Sequence, residues 1–563
     1  MQDRSVLVAG AAGEGIQTIG DVIARSFLSH GYPVFATQDY ESRIRGGHSS
    51  YRLRIGDEPR NAPRADADVL LALNAKAREH YQGLLNPKGL LLSPDAVDAS
   101  AAADGASVAV AFSSLALEHG GSKLYANSAA AGALCAALGL PFPVLAAVLT
   151  ETFSKRGAKI AESNVRAAKA GFDAVRAALG SRLPRELPVR ANRYAFATAH
   201  ETMPLAAAAA GCRFMAAYPM SPSTSIITAF SRHPGLGVFA EQAEDEIAAI
   251  HMALGASAAG ARAMTATSGG GFALMVEAMS LAGMTETPLV VVLAQRPGPA
   301  TGLPSRTAQE DLLYAIHAGH GEAPRAVLAP SDPQDAIEKT VRAFDLADRF
   351  QIPVVLLTDQ FLADSSFSMD ALLLPSEIAA PHLADPEAIE GVYRRYALTE
   401  DGVSPRLFFG QSRHLVCADS DEHDEGGHIT EDLDWMRPAM VEKRLEKGRR
   451  LRNEMAAPSR NRTEGAELVL IGWGSTKGAI DEAVDLARAA GHKVGALHFT
   501  ELWPLPELAF PEGPQYWVVE GNATGQFARL LRAECGLDVE GRIGRYDGLP
   551  LDAATIVKEL PWA

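Results

Sequence analysis

Between Tyr218 and Ser305 the chain places hydroxyls, carboxylates and one cation at regular intervals, each beside a turn-forming string. Tyr218-Pro-Met-Ser-Pro-Ser-Thr224 holds Ser221 between Pro219 and Pro222, two residues that restrict their own φ and pin the loop. AEDEIAAIHMALGAS follows over Ala243–Ser257, with Glu244, Asp245 and Glu246 at its start. MTATSGGGF (Met264–Phe272) carries Thr267 and Ser268 into a run of glycines, and AQRPGPATGLPS (Ala294–Ser305) carries Arg296 and Ser305. The strings recur one strand–helix unit apart. That order suits loops converging beyond the C-terminal ends of a parallel sheet. It points to an enzyme whose chain supplies positioning while a cofactor supplies the chemistry.

The periodicity predicts a helix over Glu241–Gly260. Acids in a first helical turn are favoured by the helix dipole, which is sufficient reason for Glu241 and Asp245. Glu246 differs. At helical spacing it stacks above Ala249, Ile250, Ala253 and Leu254, a wholly apolar stripe. A carboxylate on a buried stripe needs a partner or a task, and sharing a proton with a ring nitrogen is one such task. Ser223, Thr224 and Ser225 are expected to cap the helix after the two-proline turn. Arg296 leaves a continuous apolar run, Pro288–Ala294, where a cation meets an anionic substrate or a surface carboxylate.

Other strings offer less. GAAGEG (Gly10–Gly15) lies between an expected strand and helix. Its amides suit a phosphate or merely a tight turn, and Ala12 breaks the dinucleotide pattern. Arg43, Arg45, Arg52 and Arg54 surround Gly46-Gly47; they read as a phosphate or carboxylate grip, or as a solvated basic hairpin edge. Ala418–Asp434 has eight carboxylates with His423 and His428, and is expected to be a solvated acidic loop rather than a metal site. The Lys- and Arg-rich helix expected over Met440–Met455 reads as a solvated connector.

Positioning these residues takes a large α/β framework. Strands are expected at Ser5–Ala9, Tyr32–Thr37, Asp68–Leu73, Ser107–Phe112, Phe214–Ala217, Ala263–Thr267, Pro288–Ala294, Pro353–Thr358, Glu467–Trp473, His492–His498 and Gln515–Val519, with a helix over Ile16–His30. Leu183 to Pro188 reads as a linker. The 563 residues then divide into four parts, 1–188, 189–380, 381–460 and 461–563, built from parallel-sheet units. A net charge of −16 argues against a nucleic-acid binder. No apolar run is long enough to span a membrane, and no signal peptide opens the chain. The four cysteines, Cys135, Cys212, Cys417 and Cys535, lie far apart, which fits a reducing cytoplasm and supplies no iron–sulfur ligand set.

Together these strings resemble the alpha subunit of 2-oxoacid:ferredoxin oxidoreductases over nearly the whole chain. The resemblance implies a gamma-like domain (1–188), a thiamine pyrimidine-binding domain (189–380), a charged linker (381–460) and a transketolase-C-like domain (461–563). ADSDEHDEGGHITED and EGNATGQFARLLR (Glu520–Arg532) are similar to the 2-oxoglutarate branch. Glu246 then corresponds to the glutamate that hydrogen-bonds the aminopyrimidine of thiamine diphosphate, with Glu244 as the other reading of the AEDE register. Ser221 and Ser305 stand where the family has threonines near the substrate, and Arg296 matches the arginine that grips the substrate carboxylate. Tyr218, Pro219, Thr267 and Ser268 fall in cofactor-binding strings, and coenzyme A is assigned to Arg43, Arg45 and Gly13. No metal site is expected here. A GDG motif and a cysteine cluster are both missing, so Mg2+ and a 4Fe–4S cluster are expected on a separate beta subunit, with ferredoxin as electron partner and an α2β2 assembly.

The implied reaction interconverts 2-oxoglutarate plus coenzyme A with succinyl-coenzyme A plus carbon dioxide. Pyruvate, or a broad range of 2-oxoacids, is the alternative substrate. A non-catalytic subunit that docks coenzyme A or a redox partner is an alternative of another class.

Overall fold

The computed structural model describes residues 3–41, 47–95 and 106–562. They form two compact units. One comprises residues 1–197, 364–371 and 552–555; the other comprises 198–363, 372–551 and 556–563.

In the first unit the SVLVA run lies inside an eight-stranded sheet. The order is Ala106–Ala109, Leu85–Ser93, Ala67–Ala72, Arg4–Ala11, His48–Ile55, Val34–Tyr40, Ser365–Met369, Ala195–Ala197. The first four strands pair in parallel. The other four pair antiparallel, so antiparallel strands extend the parallel-sheet unit expected here. The reason is chain length: a parallel return needs a crossover of about a dozen residues or more, and the link from Tyr40 to His48 is shorter. Strand His48–Ile55 therefore sits between two neighbours and is no solvated edge. Its Arg54 is buried, paired with Asp3 and donating from Nη1 to the Ala62 carbonyl at 3.0 Å. Helices Ala126–Leu138 and Ala158–Leu179 pack backbone against backbone, because a Cβ at Gly132 or Gly171 would strike the carbonyl of Ala168 or Ala129.

The second unit holds two sheets. The larger runs Glu501–Trp503, Ala326–Leu328, Pro353–Asp359, Leu289–Gln295, Arg262–Thr267, Cys212–Ala217, Phe239–Gln242, and is parallel except at Glu501–Trp503. Strands Leu289–Gln295 and Pro353–Asp359 are buried along their whole length, as unbroken apolar runs covered on both faces should be. The smaller sheet runs Ser459–Asn461, Val494–Phe499, Leu468–Trp473, Gln515–Glu520, Gly541–Gly544. One hydrophobic core links the two, from Ile250, Met275 and Leu293 to Trp473, Phe499 and Phe527. Gln309 fastens them further. It exchanges backbone and side-chain hydrogen bonds with Gly521 at 2.8 Å, and its Nε2 donates to the Trp473 carbonyl at 3.0 Å.

Two expectations for the charged segment fail. The helix Met436–Glu454 is not a solvated connector: its Lys443, Arg444 and Lys447 are buried. Both lysine Nζ atoms donate to Glu286, at 2.6 and 2.7 Å. The acidic stretch is not freely solvated either. Glu422 pairs with Arg444 at 3.0 Å and with Arg437, and the ring of buried His423 lies tilted against Tyr396, centroids 3.9 Å apart. In both places cations from one segment meet carboxylates from another, which composition alone does not reveal. Among the described residues no helix is long and apolar enough to cross a membrane.

Candidate active site

The carboxylate helix begins later than its acids suggest. Phe239–Gln242 is a strand beside Cys212–Ala217, and the helix spans Glu246–Ala258. Asp245 sets the start: in extended geometry, its carboxylate accepts the Ala248 amide at 2.7 Å. Glu244 stays exposed, whereas Glu246 is 4% exposed. Below it Ala249, Ile250, Ala253 and Leu254 are buried as the stripe predicts. Glu246 Oε1 has no hydrogen-bond partner among the described residues.

What faces Glu246 is the first turn of the glycine helix, Gly269–Met284. A Cβ built on Gly271 would stand 2.5 Å from Glu246 Oε1 and would also strike Thr267 Oγ1. Glycine is therefore required sterically, where the carboxylate and Thr267 close over the turn. Thr267 ends a fully buried strand; Ser268 follows as N-cap but makes no capping bond. The Ser268 and Thr265 hydroxyls are buried without partners among the described residues. Buried polar atoms are normally paired, so several unpaired ones around one turn mark a place built to receive polar groups from elsewhere.

Ser221 and Arg296 come together, though through backbone: Arg296 Nη1 donates to the Ser221 carbonyl at 2.7 Å. Burial lowers the Arg296 pKa from its ordinary value. Tyr218 and Ser221 are exposed, and Pro219 and Ser305 are half-buried. The expected hydroxyl cap after the two-proline turn is absent. Ser223 Oγ turns back to the Met220 carbonyl at 2.7 Å, and Ser225 Oγ to the Pro222 carbonyl at 3.0 Å. These bonds brace the loop rather than the helix start.

The loop carrying Arg296 and Ser305 is tied down at both ends. Gly298 N–H donates to Glu310 Oε2 at 2.9 Å, Asp311 N–H donates to Gln295 Oε1 at 3.0 Å, and Gln295 Nε2 donates to the Thr358 carbonyl at 3.2 Å. Segment EGNATGQ serves the same end: Asn522 Nδ2 donates to the Gln309 carbonyl at 2.9 Å, and Gln526 Oε1 accepts the Leu313 amide at 3.0 Å.

Sequence reasoning missed three contributors. His200 is fully buried and bridges Ser225 Oγ (2.8 Å) and Thr358 Oγ1 (3.1 Å). Burial drops its pKa to about 4, so it is neutral. Gln309 is the second. Asp311 is the third: burial, then the neighbouring Glu310 charge, push its carboxyl up to about 6. None belongs to a string with a periodic or compositional signal.

In the first unit the GAAGEG turn is already partly filled. Glu14 Oε2 accepts the Ala11 amide at 2.8 Å and Asn74 Nδ2 at 2.7 Å, so that amide is not free for a phosphate. Gly13 has φ +89°, which suits only glycine. Arg43 and Arg45 lie outside the described residues. No group of three or more metal-ligating side chains is found among the described residues.

Three family models match the chain. They are "Pyruvate flavodoxin/ferredoxin oxidoreductase, thiamine diP-bdg" over residues 205–441, "Pyruvate ferredoxin/flavodoxin oxidoreductase" over 5–174, and "Pyruvate:ferredoxin oxidoreductase core domain II" over 466–524. The chain is 32% identical to 2-oxoacid:ferredoxin oxidoreductase 2, subunit alpha, of Aeropyrum pernix, covering 98% of this chain and 96% of that one. It is 30% identical to 2-oxoglutarate oxidoreductase subunit KorA of Mycobacterium tuberculosis, covering 96% and 88%. A solved 2-oxoglutarate:ferredoxin oxidoreductase from Magnetococcus marinus, with 2-oxoglutarate, coenzyme A and succinyl-CoA bound, superposes with a TM-score of 0.92 at 32% identity, covering 99% of both chains.

Proposed function

The chain belongs to the 2-oxoacid:ferredoxin oxidoreductase alpha subunits, and from that premise we propose that it is the alpha subunit of a 2-oxoglutarate:ferredoxin oxidoreductase. The observation that carries the reading is Glu246: a buried carboxylate, its Oε1 unpartnered among the described residues, facing a turn that admits only glycine. That arrangement fits the ring nitrogen of an aminopyrimidine, a flat group that brings its own hydrogen-bonding atom into an apolar cleft. Thiamine diphosphate, when bound, supplies the electron sink for breaking the bond between the carboxylate and the 2-oxo carbon.

The chain's own residues hold and orient. Glu246 offers Oε1 to a ring nitrogen from a buried position, where a proton passed between the two is not diverted to bulk water. Thr267, Ser268, Tyr218 and Pro219 shape the cleft beside it. Arg296 offers a cation to the substrate carboxylate from a loop whose two ends are bonded down, and Ser221 and Ser305 line its approach. Serine at both positions leaves more room than threonine. Preference for 2-oxoglutarate over pyruvate rests on the KorA-named relative and on the solved structure described with 2-oxoglutarate.

The pocket is half of one. The carboxylate and glycine helices are largely apolar, and their Ile247 and Leu274 are 48% and 51% exposed beside the site. Exposed apolar faces rimming a catalytic cleft suit a second chain. We assign to that beta chain the diphosphate, Mg2+ and 4Fe–4S functions, because this sequence has neither GDG nor clustered cysteines. Ferredoxin would receive the electrons, and coenzyme A would accept the acyl group.

The test is turnover of the co-purified pair with coenzyme A and ferredoxin. 2-Oxoglutarate is expected to exceed pyruvate at least about tenfold in kcat/KM, the low end of what one extra methylene in a pocket contributes. Equal turnover would make this a broad-range enzyme. Full activity of the isolated chain would remove the beta subunit from the reading.

A further inference from the structure

The glycine turn facing Glu246 is held from its other side as well. A Cβ on Gly269 would stand 2.7 Å from Asp311 Oδ2, two residues before the Gly271 position that Glu246 excludes. Two carboxyl groups thus bracket one turn, and each accounts for a glycine. Asp311 also ends the loop that carries Arg296 and Ser305, and its backbone N–H closes that loop onto Gln295. The substrate loop and the Glu246 pocket therefore meet at a single turn.

The Asp311 side chain is not explained by packing or capping. Its Oδ2 is buried without a hydrogen-bond partner among the described residues. An asparagine has the same shape without the charge. Burying an unpaired carboxylate is costly, so its presence at a structural position would be a liability. What the charge does face is the first turn of a sixteen-residue helix whose N-cap, Ser268, makes no capping bond. Amides in a first turn lack intrahelical acceptors and carry the positive end of the helix dipole.

We propose that Asp311 is a positioning residue of this site, whose ionised carboxylate draws the Gly269–Gly271 turn toward the substrate loop and so sets Glu246 against its ring partner. The inference rests on the thiamine reading above. The groups beside Asp311 are Glu310 on its own loop, Tyr314 on the following helix, and Gly269 at the start of the glycine helix. The first two are acidic or neutral, so the positive end of the helix dipole at that turn is the attraction open to it. With its carboxyl pushed up to about 6, the attraction is expected to switch on as pH rises through that value.

The experiment uses the co-purified complex and titrates thiamine diphosphate between pH 5 and 8 by intrinsic fluorescence, alongside thermal melts. Wild type is expected to bind about tenfold more tightly above pH 7 than near pH 5, the upper range of a carboxylate at a helix terminus. Asp311→Asn is expected to bind at the weak level throughout, with no midpoint near 6, and to melt no lower than wild type at pH 7.5. Gly269→Ala, which favours the helix but pushes on Asp311, is expected to weaken binding without removing the midpoint. An Asp311→Asn complex that keeps the wild-type pH curve, or that melts several degrees lower, would overturn the proposal, as would a Gly269→Ala complex that binds like wild type. A wild-type complex that binds no thiamine diphosphate at any pH would overturn the functional reading as well.

Discussion

Two buried glutamates in the same unit, Glu246 and Glu286, look alike by exposure and differ in company. Glu286 is 0% exposed, accepts Lys443 at 2.6 Å and Lys447 at 2.7 Å, and its carbonyl accepts Arg395 Nη2 at 2.6 Å. Burial alone would raise its pKa. Lys447, Lys443 and Arg395 together outweigh that and hold the carboxyl well below the usual range. Glu246 has an apolar stripe beneath it, a glycine turn before it and one oxygen without a partner among the described residues. Burial of a charge therefore does not identify a site. A saturated carboxylate joins segments; an unsaturated one is held ready for something that arrives.

Substitutions can break this contrast. Glu286→Gln is expected to cost about 3–5 kcal/mol in chemical denaturation, because two buried ammonium groups lose their counter-charge. A loss below about 1 kcal/mol would show that the cluster is not structural. Glu246→Gln is expected to do the reverse, lowering kcat of the assembled complex about 10²–10³-fold with the melting temperature nearly unchanged. Wild-type turnover in that variant would erase the distinction.

Asp311 sharpens the comparison through pH. Its carboxyl is pushed up from 3.8 to about 6 in the fold. The stability it contributes is fully present below 3.8 and is lost as pH rises through about 6, a swing of about 3 kcal/mol. Denaturation of wild type minus that of Asp311→Asn, measured from pH 4 to 7.5, should trace this fall; a flat difference would mean the group is not desolvated. Gly271→Ala is expected to cost about 1–3 kcal/mol and to lower activity, since the methyl meets Thr267 and Glu246. Smallest of all, Glu244→Gln is expected to change stability and turnover within experimental error, because that side chain is exposed.

Legibility of the site followed the distance over which its signals act. The Glu246 stripe could be read because helical periodicity is local, and its four apolar positions are buried as spaced. Arg296 and Ser221 could be singled out by their strings, but their meeting through a backbone carbonyl could not. The start of the carboxylate helix was misplaced because Asp245, rather than the earlier acids, supplies the cap. The Lys- and Arg-rich helix was misjudged because its counter-charge, Glu286, lies more than a hundred residues earlier.

What the sequence by itself determined is the α/β framework, the apolar strands, the turn strings and the family to which they belong. These follow from period, composition and local backbone restriction, which act over a few residues. Only the tertiary structure decided which acid is buried, which glycines are forced by a carboxylate, and which charges are saturated. Those properties depend on desolvation and on partners brought from remote parts of the chain. An unpaired oxygen is defined by everything folded around it.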